Sequence, residues 1–524
     1  MNNRKFESRI IENLTDIYSY ILTPKEIDKL ALKIKTFIYK KPVKKKSSLT
    51  QNDIILITYA NTITQKNNKP FLILRKFLKN YIKNSFSTIH ILPFFPSSSD
   101  GGFSVIDYFK IDQRNGSWND IRALSKNYKI MADVVLNHGS RKSKWFNNFL
   151  NSKGEGKDFY FYLNKNHNLN HVTRARSHKL LQKVKTKEGT KYLWCTFSHD
   201  QIDFDYKNPK VLIMFLKIIS FIMRQGVSIF RLDAVAFLWK RIESNCVNLD
   251  QTHAVIRLIR TFLEKSSPDC MIVTETNLPF HENLSYFGNA DEAHLIYNFS
   301  LAPLIINTLI KGDSSAFRRW SMGMPPAKVD NSFINFLASH DGIGIRPLEG
   351  ILSTNDIQIL LNTLKKFGSK FTYRKLNNKK VAYEANITLI DALSGTIKGK
   401  DKLAVHRFLC AHALLLSYEG TPAIYIHSLL ATKNDYQLLK KTKIKRSINR
   451  HVYNYDILKN KLDDHDSMTR FIFFSLLKLI NIRRKQKAFH PNATQYTLNL
   501  GNSLFAVWRQ STDKKQSIFA ISSV

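Results

Sequence analysis

The sequence predicts an α/β protein built on a (β/α)8 TIM barrel, and three observations carry that prediction. Eight short apolar runs, rich in β-branched and aromatic residues, recur between Asp53 and Ile426, each ending in or leading into polar residues. Segments with helical periodicity, such as "NPKVLIMFLKIISFIMRQG" and "DQTHAVIRLIRTFLEKSS", lie between most of them. No GxGxxG follows the first run, so an open doubly wound sheet has less support than a closed parallel one.

Taken in order, the runs are "DIILITYA" from Asp53, "TIHILPFFP" from Thr88, "KIMADVVLNH" from Lys129 and "VSIFRLD" from Val227. Then come "CMIVTETN" from Cys270, "HLIYNFS" from His294, "SFINFLASHD" from Ser332 and "LLLSYEGTPAIYI" from Leu414. The barrel is expected over residues 51–138, 206–345 and 401–486. Residues 1–50 read as a helical extension with a lysine-rich linker. Two connections exceed the length of simple barrel loops: 139–205 after the third run, read as an inserted, partly β domain, and 346–400 after the seventh. Long structured insertions at one barrel face usually carry function. The tail, 487–524, alternates apolar and polar residues as an antiparallel β-module does, and it looks short for one.

The chain has 80 Lys and Arg against 41 Asp and Glu, a formal charge of +39. The lysines are dispersed, the densest cluster ("KKPVKKK", Lys40 to Lys46) sits in the expected linker, and no nucleic-acid-binding pattern accompanies them. The charge therefore reads as compositional bias with weak attraction for anions, not as a nucleic-acid interface. Cys195, Cys246, Cys270 and Cys410 lack metal-ligand spacing and read as small apolar fillers in a reducing compartment. The first residues form no secretory signal and no apolar run is long enough for a membrane span, so a cytoplasmic protein is expected. Nothing in the sequence speaks to oligomeric state.

In a barrel the C-terminal strand ends form the active face. Those ends carry Asp133, Asn137 and His138; Arg231 and Asp233; Glu275; His340 and Asp341. Arg231 and Asp233, two apart on a strand, share a face, and a structural ion pair would explain them alone. Three carboxylates from three strand ends, with two histidines and an arginine, are harder to attribute to packing, because like charges so close oppose folding. Paired carboxylates with a third to position or stabilise suit retaining glycoside chemistry: a nucleophile kept ionised by Arg231, and an acid whose pKa is raised by crowding. A divalent-metal site would use the same carboxylates, but a guanidinium beside Asp233 repels a cation.

"DVVLNH", "FRLDAV", "VTETN" and "ASHDG" resemble, in order, the four signature regions of glycoside hydrolase family 13, the α-amylase superfamily, over about residues 53 to 485. The resemblance implies that Asp233 is the nucleophile, Glu275 the general acid/base and Asp341 the transition-state stabiliser, with Arg231, His138 and His340 holding the sugar. "DQIDFD" is similar to the family's further motif at the end of the inserted domain. "HILPFFPSSSDGGFSVIDYFKID", "GIGIRPLEGIL" and "SINRHVY" resemble the sucrose phosphorylase subgroup, which transfers α-glucose between an acceptor and inorganic phosphate. That likeness implies that Asp100, Phe103 and Arg450 bind the glucosyl ring, with Arg176 a phosphate ligand and Arg174 a weaker candidate. "SHDGIGIRPLEG", "RLDAVAFLWK" and the N-terminal extension look more like glucosylglycerate phosphorylases, whose anionic acceptor suits an arginine-lined mouth that includes Arg346.

In "RARSHKLL" an alanine and a lysine replace expected prolines, so a looser loop is expected. The resemblance implies small sugars and inorganic phosphate as partners, with no cofactor, no metal, no nucleic acid and no membrane. The alternatives are a glucosidase or transglucosidase using the same carboxylates without phosphate, and a non-catalytic amylase-like barrel. The last would have lost the carboxylates that Asp233, Glu275 and Asp341 retain.

Overall fold

Eight parallel strands close into a barrel in sequence order: β1 (Ile55–Thr58), β2 (Thr88–Ile91), β3 (Lys129–Val134), β4 (Val227–Leu232), β5 (Met271–Thr274), β6 (Leu295–Tyr297), β7 (Ser332–Phe336) and β8 (Thr421–Tyr425). They come from a computed structural model that describes residues 3–39, 49–165, 167–174, 176, 178–376 and 379–524. The lysine cluster Lys40 to Lys46 lies outside the described residues. Each expected apolar run holds one strand. In the eighth run, Leu414 to Ser417 close the Ala404–Ser417 helix and only Thr421 onward is strand, because Gly420, with a positive φ, reverses the chain between them.

Nearly every strand residue is buried, as both faces of a parallel barrel are covered. The covering helices include Pro209–Arg224, Asp250–Ser266, Leu301–Lys311, Ala404–Ser417 and Met468–Arg484. The first of these starts where Asn208 accepts a bond from the Lys210 amide and Pro209 supplies a preset φ. Register matters for the site: Arg231 on β4 stands beside Asp133 on β3 and Val273 on β5.

The N-terminal residues form two helices, α1 (Asn3–Tyr18) and α2 (Pro24–Lys35). In α1, Phe6, Ile10, Leu14 and Ile17 recur at helical spacing and are buried. It lies along the Asp250–Ser266 helix, with Arg9 paired to Glu264 at 3.3 Å, Asp16 to Arg257 at 3.2 Å, and the Tyr18 hydroxyl donating to the Tyr206 carbonyl at 3.0 Å.

After β3, strands His138–Ser140 and Gln201–Asp203 pair antiparallel and lead into and out of a three-stranded sheet made of Tyr162–Leu163, Leu181–Thr186 and Gly189–Trp194. This segment has its own small core, including Phe161, Leu163, Leu180 and Trp194. Its base is tied to the barrel by Lys240, whose buried ammonium lies 2.8 Å from Asp203 and 2.8 Å from Asn137. After β7 come the helix Thr354–Lys366 and a hairpin, Lys370–Leu376 with Lys379–Asn386, to which Ile343–Gly344 adds a third strand.

The expected C-terminal strands form an antiparallel sheet of Thr494–Leu498, Leu504–Gln510 and Ser517–Ser523. Two buried arginines tie it to the barrel through backbone carbonyls. Arg483 donates to Leu416, Gln51, Gly420 and Phe489, and Arg509 to Ser417, His490 and Ala493, at 2.7 to 3.4 Å. Among the described residues no helix is long and apolar enough to cross a membrane.

Replacing Arg483 with Ala removes the donors for four carbonyls, and a buried acceptor left unsatisfied costs about 1–3 kcal/mol. Arg483→Ala is expected to lower unfolding stability in urea by about 3 kcal/mol or more. Arg9→Ala, which removes a partly exposed ion pair with Glu264, should cost less than Arg483→Ala, about 1 kcal/mol.

Candidate active site

The C-terminal ends of β2 to β7 and the loops behind them enclose a cavity of about 90 Å³. That is room for roughly six to nine waters, the scale of one small polar molecule. Asp100, Phe103, His138, Arg176, Arg231, Asp233, Glu275, His340 and Asp341 all line it. Nine of the eleven side chains singled out from the sequence are therefore brought together, and Arg346 and Arg450 stand off the wall.

The centre is a buried ion cluster. The Arg231 guanidinium contacts Asp133, lies 2.7 Å from Asp233 and 3.9 Å from Glu275, and is flanked by the rings of Phe103 and Tyr297, each 5.7 Å away. His90, on β2, meets Asp133 at 2.9 Å. Burial works to raise the Asp133 carboxyl, but Arg231 and His90 outweigh it and hold Asp133 ionised. The Arg231–Asp233 pair expected from their spacing is thus present, as one edge of a larger cluster.

Glu275 accepts a hydrogen bond from the Ala234 amide at 2.9 Å. Ala234 directly follows Asp233 and has φ +51, a left-handed conformation that a residue with a Cβ adopts at a cost. Burial pushes the carboxyls of Asp233 and Glu275 up, Arg231 opposes it at both, and the two acids raise one another's proton affinity or that of a neighbouring acid. Desolvation outweighs the guanidinium at both carboxyls, which sit above the ordinary range, while Arg231, 2.7 Å from Asp233 and 3.9 Å from Glu275, favours the negative charge on Asp233 of the two.

Asp341 is different. Burial also works to raise it, yet Arg446 at 2.6 Å, His340 at 3.4 Å and Arg450 at 3.6 Å hold it well below the usual carboxylate range. Its backbone is pinned by Asn449, which donates to the carbonyls of Ser339 and Asp341 at 3.1 and 2.8 Å. His340 stacks on Phe103, 4.9 Å between centroids and 8° apart, and burial pushes it down to about 3. Burial likewise lowers His138, whose Nε2 faces the Phe103 carbonyl at 3.0 Å and Gln201 at 3.0 Å.

Arg450 lies behind the wall, donating to the His340 carbonyl at 2.7 Å and standing over the Tyr59 ring. Arg446, four residues earlier, lines the cavity and bridges Asp341 to Glu384, 2.5 Å from the latter. Arg176 crosses the mouth between the rings of Phe197 and Tyr383, at 5.8 and 5.6 Å. Arg174 instead turns back to the His178 carbonyl. Arg346 sits beside Tyr383 and Arg374, its Nε buried without a hydrogen-bond partner, and burial together with Arg374 lowers its pKa. Sequence reasoning missed Arg446, Glu384, His90, Tyr297 and Tyr383. It quoted Gln201 only as part of a motif.

The alpha-amylase catalytic domain model matches residues 78–342, just over half of the chain. The glucosylglycerate phosphorylase of Spirochaeta thermophila is 38% identical over 476 residues, 91% of this chain and 81% of that protein. The glucosylglycerate phosphorylase of Escherichia coli is 35% identical over 510 residues, 97% of this chain and 91% of that one. The crystal structure of sucrose 6F-phosphate phosphorylase from Thermoanaerobacter thermosaccharolyticum superposes with a TM-score of 0.78 at 25% identity, covering 91% of this chain and 95% of that one. The chain belongs to the α-amylase family. Within it, the chain is a homologue of the glucosylglycerate and sucrose phosphorylases.

An unfolded imidazole takes its proton near pH 6.5, whereas folded His340 takes it only near 3. Between those values acid favours the unfolded chain, so His340 contributes stability above about pH 6.5 that is lost as pH falls, by at most about 1.4 kcal/mol per pH unit. The stability lost between pH 7 and 5 in urea titrations is expected to be smaller in His340→Gln than in the natural chain. An equal loss in both would show that His340 is not held neutral.

Proposed function

We propose that the chain is a retaining α-glucoside phosphorylase that transfers glucose between glucosylglycerate and inorganic phosphate, yielding α-glucose 1-phosphate. The observation that carries this reading is one guanidinium shared by Asp233 and Glu275 in a cavity sized for a single sugar ring, with a low-pKa Asp341 opposite and Arg176 across the mouth. The kinship with named glucosylglycerate phosphorylases supports the choice of acceptor.

The two raised carboxyls share the work of one anion and one acid. Arg231 touches Asp233 and stands farther from Glu275, so the negative charge rests on Asp233 and the proton on Glu275. Asp233 then attacks C1 of the α-glucoside while Glu275 gives its proton to the leaving glycerate oxygen, forming a β-glucosyl ester on the enzyme. A phosphate hydroxyl oxygen attacks C1 from the face the glycerate left, Glu275 takes the proton from that hydroxyl, and the Asp233–C1 bond breaks with net retention. Asp341, kept ionised by Arg446, faces the positive charge that builds on the ring in both steps.

Phosphate and glycerate are both anions, and both must enter past Arg176. A guanidinium held between two aromatic rings is preorganised to meet them, and it gives phosphate an advantage over water at the glucosyl ester.

Asp233→Asn is expected to lower glucosyl transfer by about 10⁴-fold or more; activity near that of the natural chain would remove Asp233 from its role. The reaction itself is read by phosphate release from α-glucose 1-phosphate with glycerate, fructose, glycerol or fructose 6-phosphate. Release that depends on glycerate is expected. Dependence on fructose would make the acceptor a sugar, release without any acceptor would make the enzyme a hydrolase, and no release would overturn the phosphorylase reading.

A further inference from the structure

Asp100 and Phe103 reach the cavity from a hairpin loop after β2, and that loop has to be held. Its base is closed by the Ser97–Val105 bridge, by the Ser98 amide on the Ser104 carbonyl at 3.0 Å and by the Ile106 amide on the Pro96 carbonyl at 2.7 Å. Its tip turns through left-handed backbone at Asp100 (φ +55) and Gly101 (φ +60), unfavourable for a residue with a Cβ such as Asp100. At Gly101 an added Cβ would stand 2.5 Å from the Arg450 guanidinium and 2.8 Å from the Tyr59 hydroxyl, so both side-chain ends would have to shift.

One carboxylate gathers this hairpin. Asp200 Oδ2 accepts the hydroxyls of Ser98 at 2.5 Å, Ser99 at 2.5 Å and Ser104 at 2.9 Å, from both limbs and the tip. Ser140, on the first short strand of the inserted segment, meets the Ser98 hydroxyl at 2.6 Å. The next residue reaches the tip from inside: Gln201 Nε2 donates to Asp100 Oδ2 at 3.2 Å and to the Phe103 carbonyl at 3.3 Å. Gln201 lines the cavity and Asp200 does not. An ionised carboxylate only accepts hydrogen bonds, so it can satisfy several hydroxyls at one oxygen; an amide brings two donors that the serines do not need.

We infer that Asp200 is a positioning residue for the sugar cavity: by gathering Ser98, Ser99 and Ser104 it fixes the tip that places Asp100 and Phe103 in the wall, and so sets the affinity for a single sugar ring. The inference rests on reading this cavity as the glucosyl site. It assigns Asp200 no part in the bond-breaking steps, which run at Asp233 and Glu275. Loss of Asp200 therefore weakens sugar binding and leaves the chemistry of a bound sugar nearly intact.

The test compares Asp200→Asn and Asp200→Ala with the natural chain. The KM for α-glucose 1-phosphate is expected to rise about 10-fold in Asp200→Asn and further in Asp200→Ala, the loss expected for hydrogen bonds to a charged acceptor. The kcat should fall less than about 3-fold and the glycerate KM should stay within about 2-fold, a split that general loosening of the fold would not produce. Calorimetric binding of 1-deoxynojirimycin, a glucose-shaped cation, should weaken by the same factor as the KM rises. This second readout needs no turnover: a natural chain that binds the mimic but releases no phosphate would sink the phosphorylase reading, while the variants' affinities still decide the role of Asp200. Affinity and KM within about 2-fold of the natural values in a folded Asp200→Ala protein would overturn the inference. If that protein does not fold, Ser99→Ala at the exposed tip and the Ser99→Ala/Ser104→Ala pair decide instead: a graded loss of mimic affinity supports it, and unchanged affinity in both overturns it.

Discussion

The Arg231 guanidinium is the interaction on which the rest of the barrel mouth depends. Three carboxylates from three successive strands, Asp133, Asp233 and Glu275, are drawn out of water around it, and each alone would cost several kcal/mol to bury. A single fixed positive charge makes the arrangement tolerable without making it comfortable. Asp133 is fully paired and ionised, whereas Asp233 and Glu275 remain above their ordinary pKa range. That residual discomfort is the chemical asset. A fully neutralised pair would be inert, and an acid and an anion side by side are what transfer at an anomeric carbon requires. The flanking rings of Phe103 and Tyr297 keep water from relaxing it.

Around this fixed centre four connections supply much of the wall. They are the hairpin after β2, the segment inserted after β3, the hairpin inserted after β7 and the loop after β8 that carries Arg446. The division matches what a rigid scaffold with variable loops offers: the strands set the reacting groups, and the loops set what fits beside them. Arginine recurs in these walls, at Arg176, Arg446 and, one layer out, Arg346 and Arg374. Arg176 lies between two aromatic rings, and Arg446 and Arg374 are paired to carboxylates.

How much of this could be read from residues alone follows from the range of the interactions. The strands were legible because burial on both faces writes an unbroken apolar run. Asp133, Arg231, Asp233, Glu275, His340 and Asp341 were legible because each lies at or just past the end of such a run. Arg446 was not: it sits among "KIKRSINR", where lysine and arginine are common, and its meaning comes from Asp341 and Glu384, which are more than sixty residues away in each case. Glu384 lies on a hairpin strand with no motif, and its partner is equally remote. Arg450, the arginine read from the sequence, stands one layer back, its Nε bonded to the His340 carbonyl, while Arg446 reaches the cavity. The pKa of Asp233 could not be read at all, since it turns on desolvation, and desolvation is a property of the closed mouth.

The two arginines that donate only to carbonyls at the barrel's far seam have a consequence for recombination. Arg483 reaches back to Gln51, before the first strand, and forward to Phe489, while Arg509 on the C-terminal sheet reaches Ser417 before the last strand. The segment just before β1, the Met468–Arg484 helix and the terminal sheet are therefore sewn through one another by main-chain atoms that no substitution can edit. A chimera with a crossover between the Met468–Arg484 helix and the sheet must bring two backbones from different parents into the same guanidinium geometry. A crossover that exchanges the Thr354–Lys366 helix and the hairpin after it leaves those stitches whole. The C-terminal sheet is inherited with the barrel.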